Sequence, residues 1–385
     1  MSSIPGITNM RARALTIMAT RSQDQDLVVS VAKQHGISDR GEIAASSGRQ
    51  QSNKIVPAFG WHPWFSYQLY DDTTGAESNT TYEPSSDSNR NEQKAQHYNA
   101  VLSPAPDAEF IASLPDPRSL RAFIDETRQR VLDAGPAALI GEIGLDKAFR
   151  LPWPRNAAEH SERDEALTPG GREGRMLSPH HVRMAHQVRV LKAQLRLAGE
   201  LGVAVSVHGV QAHGVLFDAL ASLWKGHEKE VVSRRKQKLV AEGAEDFSSS
   251  SSEGEGEDGE VDAQPAGRKR RYKPKPFPPR VCLHSFSGSP QMVSQYLNPA
   301  IPVQVFFSFS TVINLSTAGG ESKFPDVVRA CPDDRVLVES DLHTAGEHMD
   351  HVLEDMYRRI CDVKGWSLSE GVEKIRKNYE RFIFG

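Results

Sequence analysis

Four short apolar runs in the chain each stop at a side chain that can bind a metal ion. They are Ala138-Leu139-Ile140-Gly141-Glu142, Val203-Ala204-Val205-Ser206-Val207-His208, Arg280-Val281-Cys282-Leu283-His284 and Arg335-Val336-Leu337-Val338-Glu339-Ser340-Asp341. Two imidazoles and two carboxylates are the donor types of a divalent-cation site that accepts Zn, Mn or Mg. A cation held by such donors lowers the pKa of a bound water and stabilises the charge that develops in hydrolysis. The four donors lie far apart in sequence, so only a fold can gather them.

Runs this short and this rich in β-branched residues predict strands buried on both faces, the pattern of a parallel sheet. In a parallel α/β barrel the carboxyl ends of all strands meet on one face, where active sites are built. The candidate strands are Ala14 to Ala19, Ile55 to Gly60, Ala138 to Ile143, Val203 to His208, Val281 to Phe286, Val303 to Phe309 and Val336 to Glu339. Helical stripes fall between them. Met184, Val188, Leu191, Leu195 and Ala198 share one face, as do Met349, Val352, Leu353, Met356 and Ile360. The last helix opens on a capping-box sequence, Ser367-Leu368-Ser369-Glu370. The pattern predicts an α/β fold of the TIM (β/α)8 type with seven strands where eight are expected. A barrel short of one strand keeps two unpaired edges and an open seam.

Bulk composition narrows the function classes. The 385 residues carry a net charge of −4, so no global basic field draws nucleic acid non-specifically. The three cysteines, Cys282, Cys331 and Cys361, lack C-x-x-C spacing and read as buried thiols of a reducing compartment, cytoplasmic or nuclear. No run of about 18 apolar residues and no signal-peptide core predict a membrane segment. Residues 66–116, 149–177 and 225–279 read as disordered insertions, too polar to offset chain entropy. The third passes from a Ser run at 248–252 through an acidic stretch to the basic run Arg268 to Lys275, which fits a nuclear localisation signal or a phosphate-binding tail. The 250 residues that remain match the ~250 of one barrel, so residues 1–385 read as a single domain.

Five motifs then stand in order along the non-inserted chain. They are Gly60-Trp61-His62-Pro63, Gly141-Glu142-Ile143-Gly144-Leu145-Asp146, Gln194-Leu195-Arg196-Leu197-Ala198 leading to His208, His284-Ser285-Phe286-Ser287-Gly288, and Glu339-Ser340-Asp341. Together they resemble the TatD family of metal-dependent deoxyribonucleases, within the amidohydrolase-like barrel superfamily. The long insertions resemble a fungal subgroup, some of whose members are labelled partners of a cell-cycle ubiquitin-ligase subunit. The resemblance implies DNA phosphodiester hydrolysis at a two-metal site. Glu142 would bridge the ions, His208 and His284 would hold one, and Asp341 would help hold the other while orienting or deprotonating the attacking water. Glu142 and Asp341 are then the catalytic pair and His62 a substrate contact. Asp146 and Glu339 read as groups that orient the ligands.

The sequence also departs from that family. The other ion ordinarily takes two histidines from an H-x-H motif ending the first strand, and no H-x-H occurs anywhere in this chain. The missing strand and the missing ligands are one deficiency, which a late start codon or a shortened isoform would explain. The expectation is one ion rather than two, with impaired hydrolysis. Val210 stands where the family has an arginine able to clamp phosphate, Leu342-His343 replaces a proline after Asp341, and Trp64 replaces a histidine after His62-Pro63. A second reading keeps the barrel without catalysis and lends the insertions to a protein partner. An amide or lactone hydrolase of the same superfamily is compatible with the ligand types alone.

Overall fold

All seven strands form, and all run parallel. β1 (Leu15–Met18), β2 (Ile55–Phe59), β3 (Leu139–Asp146), β4 (Val205–Val210), β5 (Arg280–Leu283), β6 (Gln304–Phe309) and β7 (Val336–Val338) lie side by side in chain order. This computed structural model describes residues 3–44, 53–73, 82, 90–154, 175–231, 272–316 and 318–385. Among the described residues β1 pairs only with β2 and β7 only with β6, so both sheet edges are open as expected.

Helices occupy the crossovers. α1 (Ser22–His35) follows β1, while α2 (Arg90–Val101), α3 (Ala108–Ser113) and α4 (Leu120–Ala134) lie between β2 and β3. α5 (Met184–Leu201) precedes β4, α6 (His213–Trp224) follows it, and α7 (Pro290–Tyr296) and α8 (Ala318–Ala330) flank β6. α9 (Glu347–Lys364) and α10 (Leu368–Phe384) close the chain. The predicted cap of α10 forms, with the Glu370 amide donating to Ser367 Oγ at 3.2 Å.

Both faces of the sheet are apolar, for the reason a parallel sheet requires. Val56, Ala58, Leu139, Ala204, Cys282, Phe306 and Leu337 form the inner layer together with Phe382 and Ile383 of α10. Arg280, at the start of β5, fastens that helix by donating to the Phe382 carbonyl at 2.7 Å and the Ile383 carbonyl at 3.0 Å. Phe59, Ile140, Val205, Val281 and Phe307 belong to the larger core built with the helices. The three cysteines are buried and free, and burial pushes the Cys282 thiol up to about 12. No helix among the described residues is long and apolar enough to cross a membrane.

Two expectations need correction. β3 continues past Ile143 to Asp146, and β4 past His208 to Val210, so Glu142 and His208 lie within strands rather than at their ends. Ile143 and Leu145 are still fully buried and keep the ladder going, with a register irregularity against β4 between Ile140 and Ile143. The second correction concerns residues 66–116, read as a disordered loop. Their described part holds α2, α3 and a 3-10 turn at Pro63–Gln68, with Phe65, Tyr98, Val101 and Phe110 packed on Trp61 and Phe123 in a second core. Few but large aromatic residues supply that burial, which a count of apolar residues misses. Of the other two insertions, residues 155–174 and 232–271 lie outside the described residues, including most of the basic run. The described ends of the first are paired, Leu151 accepting from Ser178 at 2.8 Å and donating to His180 at 2.9 Å.

Candidate metal centre

The turn after β2 places His62. Its amide donates to the Thr20 carbonyl at 2.8 Å, beyond the end of β1. Buried Gln194 of α5 clamps Trp61 from both sides, accepting from its amide at 2.7 Å and donating to its carbonyl at 3.2 Å. Gln25 Nε2 holds the Gly60 carbonyl at 2.7 Å. A Cβ on Gly60 would meet the Gly141 backbone at 2.8 Å, so only glycine lets β2 and β3 approach this closely. His62 ends 3% exposed.

Glu142 Oε1 is the hub of the cluster. His208 Nδ1 lies 3.0 Å from it, His62 Nε2 3.3 Å and His284 Nε2 3.7 Å. His284 Nε2 is also 3.0 Å from Asp341 Oδ1. The structure therefore brings Glu142, His208, His284, Asp341 and His62 together. Asp341 reaches inward from a left-handed backbone at φ 56°, a conformation that non-glycine residues adopt mainly at turns and functional sites.

The outer nitrogens of the histidines face different partners. His208 Nε2 is 3.1 Å from Asp146 Oδ2, and His284 Nδ1 is 2.9 Å from Glu339 Oε2, a charge contact without good hydrogen-bond alignment. Glu339 itself accepts from Ser285 and Ser308. A carboxylate only accepts, so these outer nitrogens carry protons and leave His208 Nδ1 and His284 Nε2 facing Glu142. His62 is the opposite case. Its Nδ1 accepts from the Trp64 amide at 3.2 Å, which puts the proton on Nε2. Although ligand-capable atoms of His62, Glu142 and His208 all lie within 4.8 Å, His62 offers the cluster an N–H and not a lone pair.

The electrostatics follow from that crowding of charge. Burial alone would lower the His208 imidazole, but hydrogen bonds to Asp146 and Glu142 prevail and push it up to about 9. Burial is likewise outweighed at His284, which the charges of Glu339 and Glu142 and a hydrogen bond to Asp341 hold well above the usual imidazole range. Burial lowers His62, keeping it neutral. Burial opposes ionisation of Glu142, yet His284, His62 and His208 hold it well below the usual carboxylate range. Without a cation, two imidazolium protons compensate the carboxylates.

Pair by pair the donor spacing suits a divalent cation, although among the described residues the group whose donor atoms all lie within 4.8 Å of one another is His62, Glu142 and His208. Metal–donor bonds of about 2.1 Å place neighbouring donors about 3.0 Å apart in an octahedron and about 3.4 Å in a tetrahedron. The separations here are 3.0, 3.7 and 3.0 Å. A doubly charged ion would also replace the two protons charge for charge.

Sequence reasoning gave Asp146 only a general orienting role and named Trp64 only as a departure from the family pattern, with no role of its own. The Trp64 indole donates to Asp146 Oδ2 at 2.6 Å, and its ring stacks on Phe149 with centroids 4.9 Å apart. The one signal was a large aromatic immediately after His62-Pro63. Val210 pairs with Asp146 across the β3–β4 ladder and adds no charge there. His213, five residues after His208, is half-buried and 3.4 Å from Ser287 Oγ.

A sequence profile described as TatD related DNase matches residues 9–384. The chain belongs to the TatD family. Among TatD relatives, Cut9-interacting protein scn1 of Schizosaccharomyces pombe is 34% identical over 378 residues, spanning 98% of this chain and 93% of that one. An uncharacterized deoxyribonuclease of Saccharomyces cerevisiae is 24% identical over 358 residues, spanning 90% and 87%. Two solved structures are similar at low identity. The TatD homologue YJJV of Escherichia coli shares 14% identity with a TM-score of 0.46, covering 100% of this chain and 90% of its own. An uncharacterized amidohydrolase of Saccharomyces cerevisiae shares 12% at the same TM-score, covering 97% and 90%. Family membership makes this a hydrolase fold of the TatD type.

Proposed function

We propose that the chain is a divalent-metal-dependent hydrolase that cleaves phosphodiester bonds of DNA, with Glu142, His208, His284 and Asp341 as the metal's donors. The observation that carries this reading is the pair of partly buried histidines whose outer nitrogens face Asp146 and Glu339 while their inner nitrogens face Glu142. When bound, a cation of the Mg, Mn or Zn type supplies Lewis acidity, lowering the pKa of a water and taking up charge at a phosphoryl oxygen. Glu142 and Asp341 are the catalytic carboxylates. Asp341, the more exposed of the two at 26%, is placed to accept the proton of the attacking water. His62 Nε2–H, 3.3 Å from Glu142 Oε1, would turn to a phosphate oxygen when substrate binds, a charge-assisted hydrogen bond that orients the substrate. This donor set serves one ion, and no arginine stands at position 210 to clamp phosphate.

The decisive experiment measures metal content and cleavage of end-labelled single-stranded DNA with Mn²⁺ for the wild type, Glu142→Ala and His284→Ala. Loss of both metal and cleavage in the two variants supports the enzyme; wild-type cleavage in either one refutes it. A second reading, a protein-binding role, has its own support in the name of the fission-yeast relative, Cut9-interacting protein scn1. It places residues 225–279 at the partner and, through Arg268 to Lys275, a nuclear or cytoplasmic location. Deleting 225–279 would abolish the cellular role under that reading, while Glu142→Ala would leave it intact.

A further inference from the structure

One residue touches both kinds of histidine in the cluster. The Trp64 backbone amide donates to His62 Nδ1 at 3.2 Å, and its indole Nε1 donates to Asp146 Oδ2 at 2.6 Å. The same Oδ2 faces His208 Nε2 at 3.1 Å, while Oδ1 accepts from the amides of Ala148 and Phe149, each at 2.8 Å. All four acceptor positions of the Asp146 carboxylate are thereby filled, and the residue is 5% exposed. The indole is itself held, stacked on Phe149 with an 11° angle between planes and edge-on to the His62 ring at 4.8 Å.

We propose that Trp64 is a positioning residue that fixes the two histidines in opposite senses. Its amide leaves His62 with an N–H pointed at Glu142. Its indole anchors the Asp146 carboxylate, which accepts a hydrogen bond from His208 Nε2–H and would leave Nδ1 as a lone-pair donor to the cation. This role rests on the reading of His208 as a metal ligand. Partners that orient a ligating imidazole are ordinarily worth 10–100-fold in metal affinity. Nothing in the packing substitutes for the lost bond, because Asp146 Oδ2 has no protein partner besides the indole and His208 in the contacts described.

The test uses Trp64→Phe, which keeps the aromatic stack and the backbone amide and removes only the indole N–H. Mn²⁺ titration of the full chain is expected to show affinity reduced by about 10-fold or more. In metal-free wild type the His208 Nε2 proton is expected to give a slowly exchanging downfield NMR resonance, and in Trp64→Phe that resonance is expected to move and to exchange faster. Phe149→Leu, which disturbs the stack and spares the indole, is expected to change neither. Asp146→Asn should cost as much as Trp64→Phe, and the double variant no more than about threefold beyond either, since both act through one carboxylate. Affinity within threefold of wild type in Trp64→Phe, an unchanged His208 resonance, or equal losses in Phe149→Leu would overturn the proposal. Should Trp64→Phe fail to fold, the additivity question passes to Asp146→Asn paired with Phe149→Leu: strong coupling there also overturns it. If wild type itself binds no Mn²⁺, the proposed function falls, and the His208 resonance alone decides the role of Trp64.

Discussion

Metal uptake by this chain should release two protons. His208 and His284 both face Glu142 with nitrogens that are protonated when no cation is present, His208 up to about 9 and His284 well above the usual imidazole range. A cation can bind only the deprotonated nitrogens, so each ion displaces one proton from each ring. Both groups have raised pKa values, so their protons are fully bound near pH 6.5, and that of His208 is lost as pH rises through about 9. Between pH 6 and 8 the apparent affinity should climb about 100-fold per pH unit, which is roughly 2.7 kcal/mol from two steps of 1.36. Toward pH 9 the slope should fall to one as His208 loses its proton unaided. Isothermal titration with Mn²⁺ in buffers of different ionisation enthalpy reads the stoichiometry directly: the observed enthalpy should change with buffer enthalpy at a slope near two. A slope below about one-half, or an affinity flat across that range, would show that the inner nitrogens are not the ligands.

Further outcomes follow from the same contacts. In metal-free protein His208 alone should contribute a loss on the order of 3 kcal/mol between pH 6.5 and 9, with His284 adding to it, seen as a falling urea midpoint that saturating Mn²⁺ abolishes. On the acid side, burial lowers His97 to about 4 and His186 to about 3, each bonded to a carbonyl of the 66–70 segment. Both are neutral in the fold and protonated in the unfolded chain below pH 6.5. Stability should therefore drop by roughly 3 kcal/mol from His97 alone as pH falls from 6.5 to 4; His97→Gln should flatten that limb, and an unchanged limb would refute the assignment. Gln194→Leu strands the Trp61 amide and carbonyl and should cost about 3 kcal/mol in chemical denaturation, against less than 1 for a surface control. Gly144→Ala puts a Cβ 2.0 Å from the His208 carbonyl at φ 153° and should cost at least about 3 kcal/mol; a variant as stable as wild type would show that the β3–β4 ladder yields there.

The apolar periodicity carried most of the fold. Strand positions are legible because burial on both faces demands unbroken runs such as Val203 to Val207, and helix stripes because one face must meet that sheet. The open seam followed from the strand count. What failed was local. The polar stretch from 66 to 116 hides its helices because a handful of large aromatics, Tyr98 and Phe110 among them, supplies burial that apolar counting expects from many residues. Strand ends were misplaced at Glu142 and His208 because a polar side chain facing a pocket does not end a ladder whose neighbours remain buried.

At the site, residue types and their positions after apolar runs were enough to nominate Glu142, His208, His284 and Asp341, since those groups are rare at such places for any other reason. The division of labour among the histidines was not in the sequence. Whether an imidazole offers a lone pair or an N–H depends on which atom touches its far nitrogen, and that partner lies 62 positions away for Asp146 behind His208 and two positions away for Trp64 behind His62. Composition chose the donors; only the tertiary packing, by setting a carboxylate behind two rings and an amide behind the third, decided which of them offers a lone pair and which an N–H.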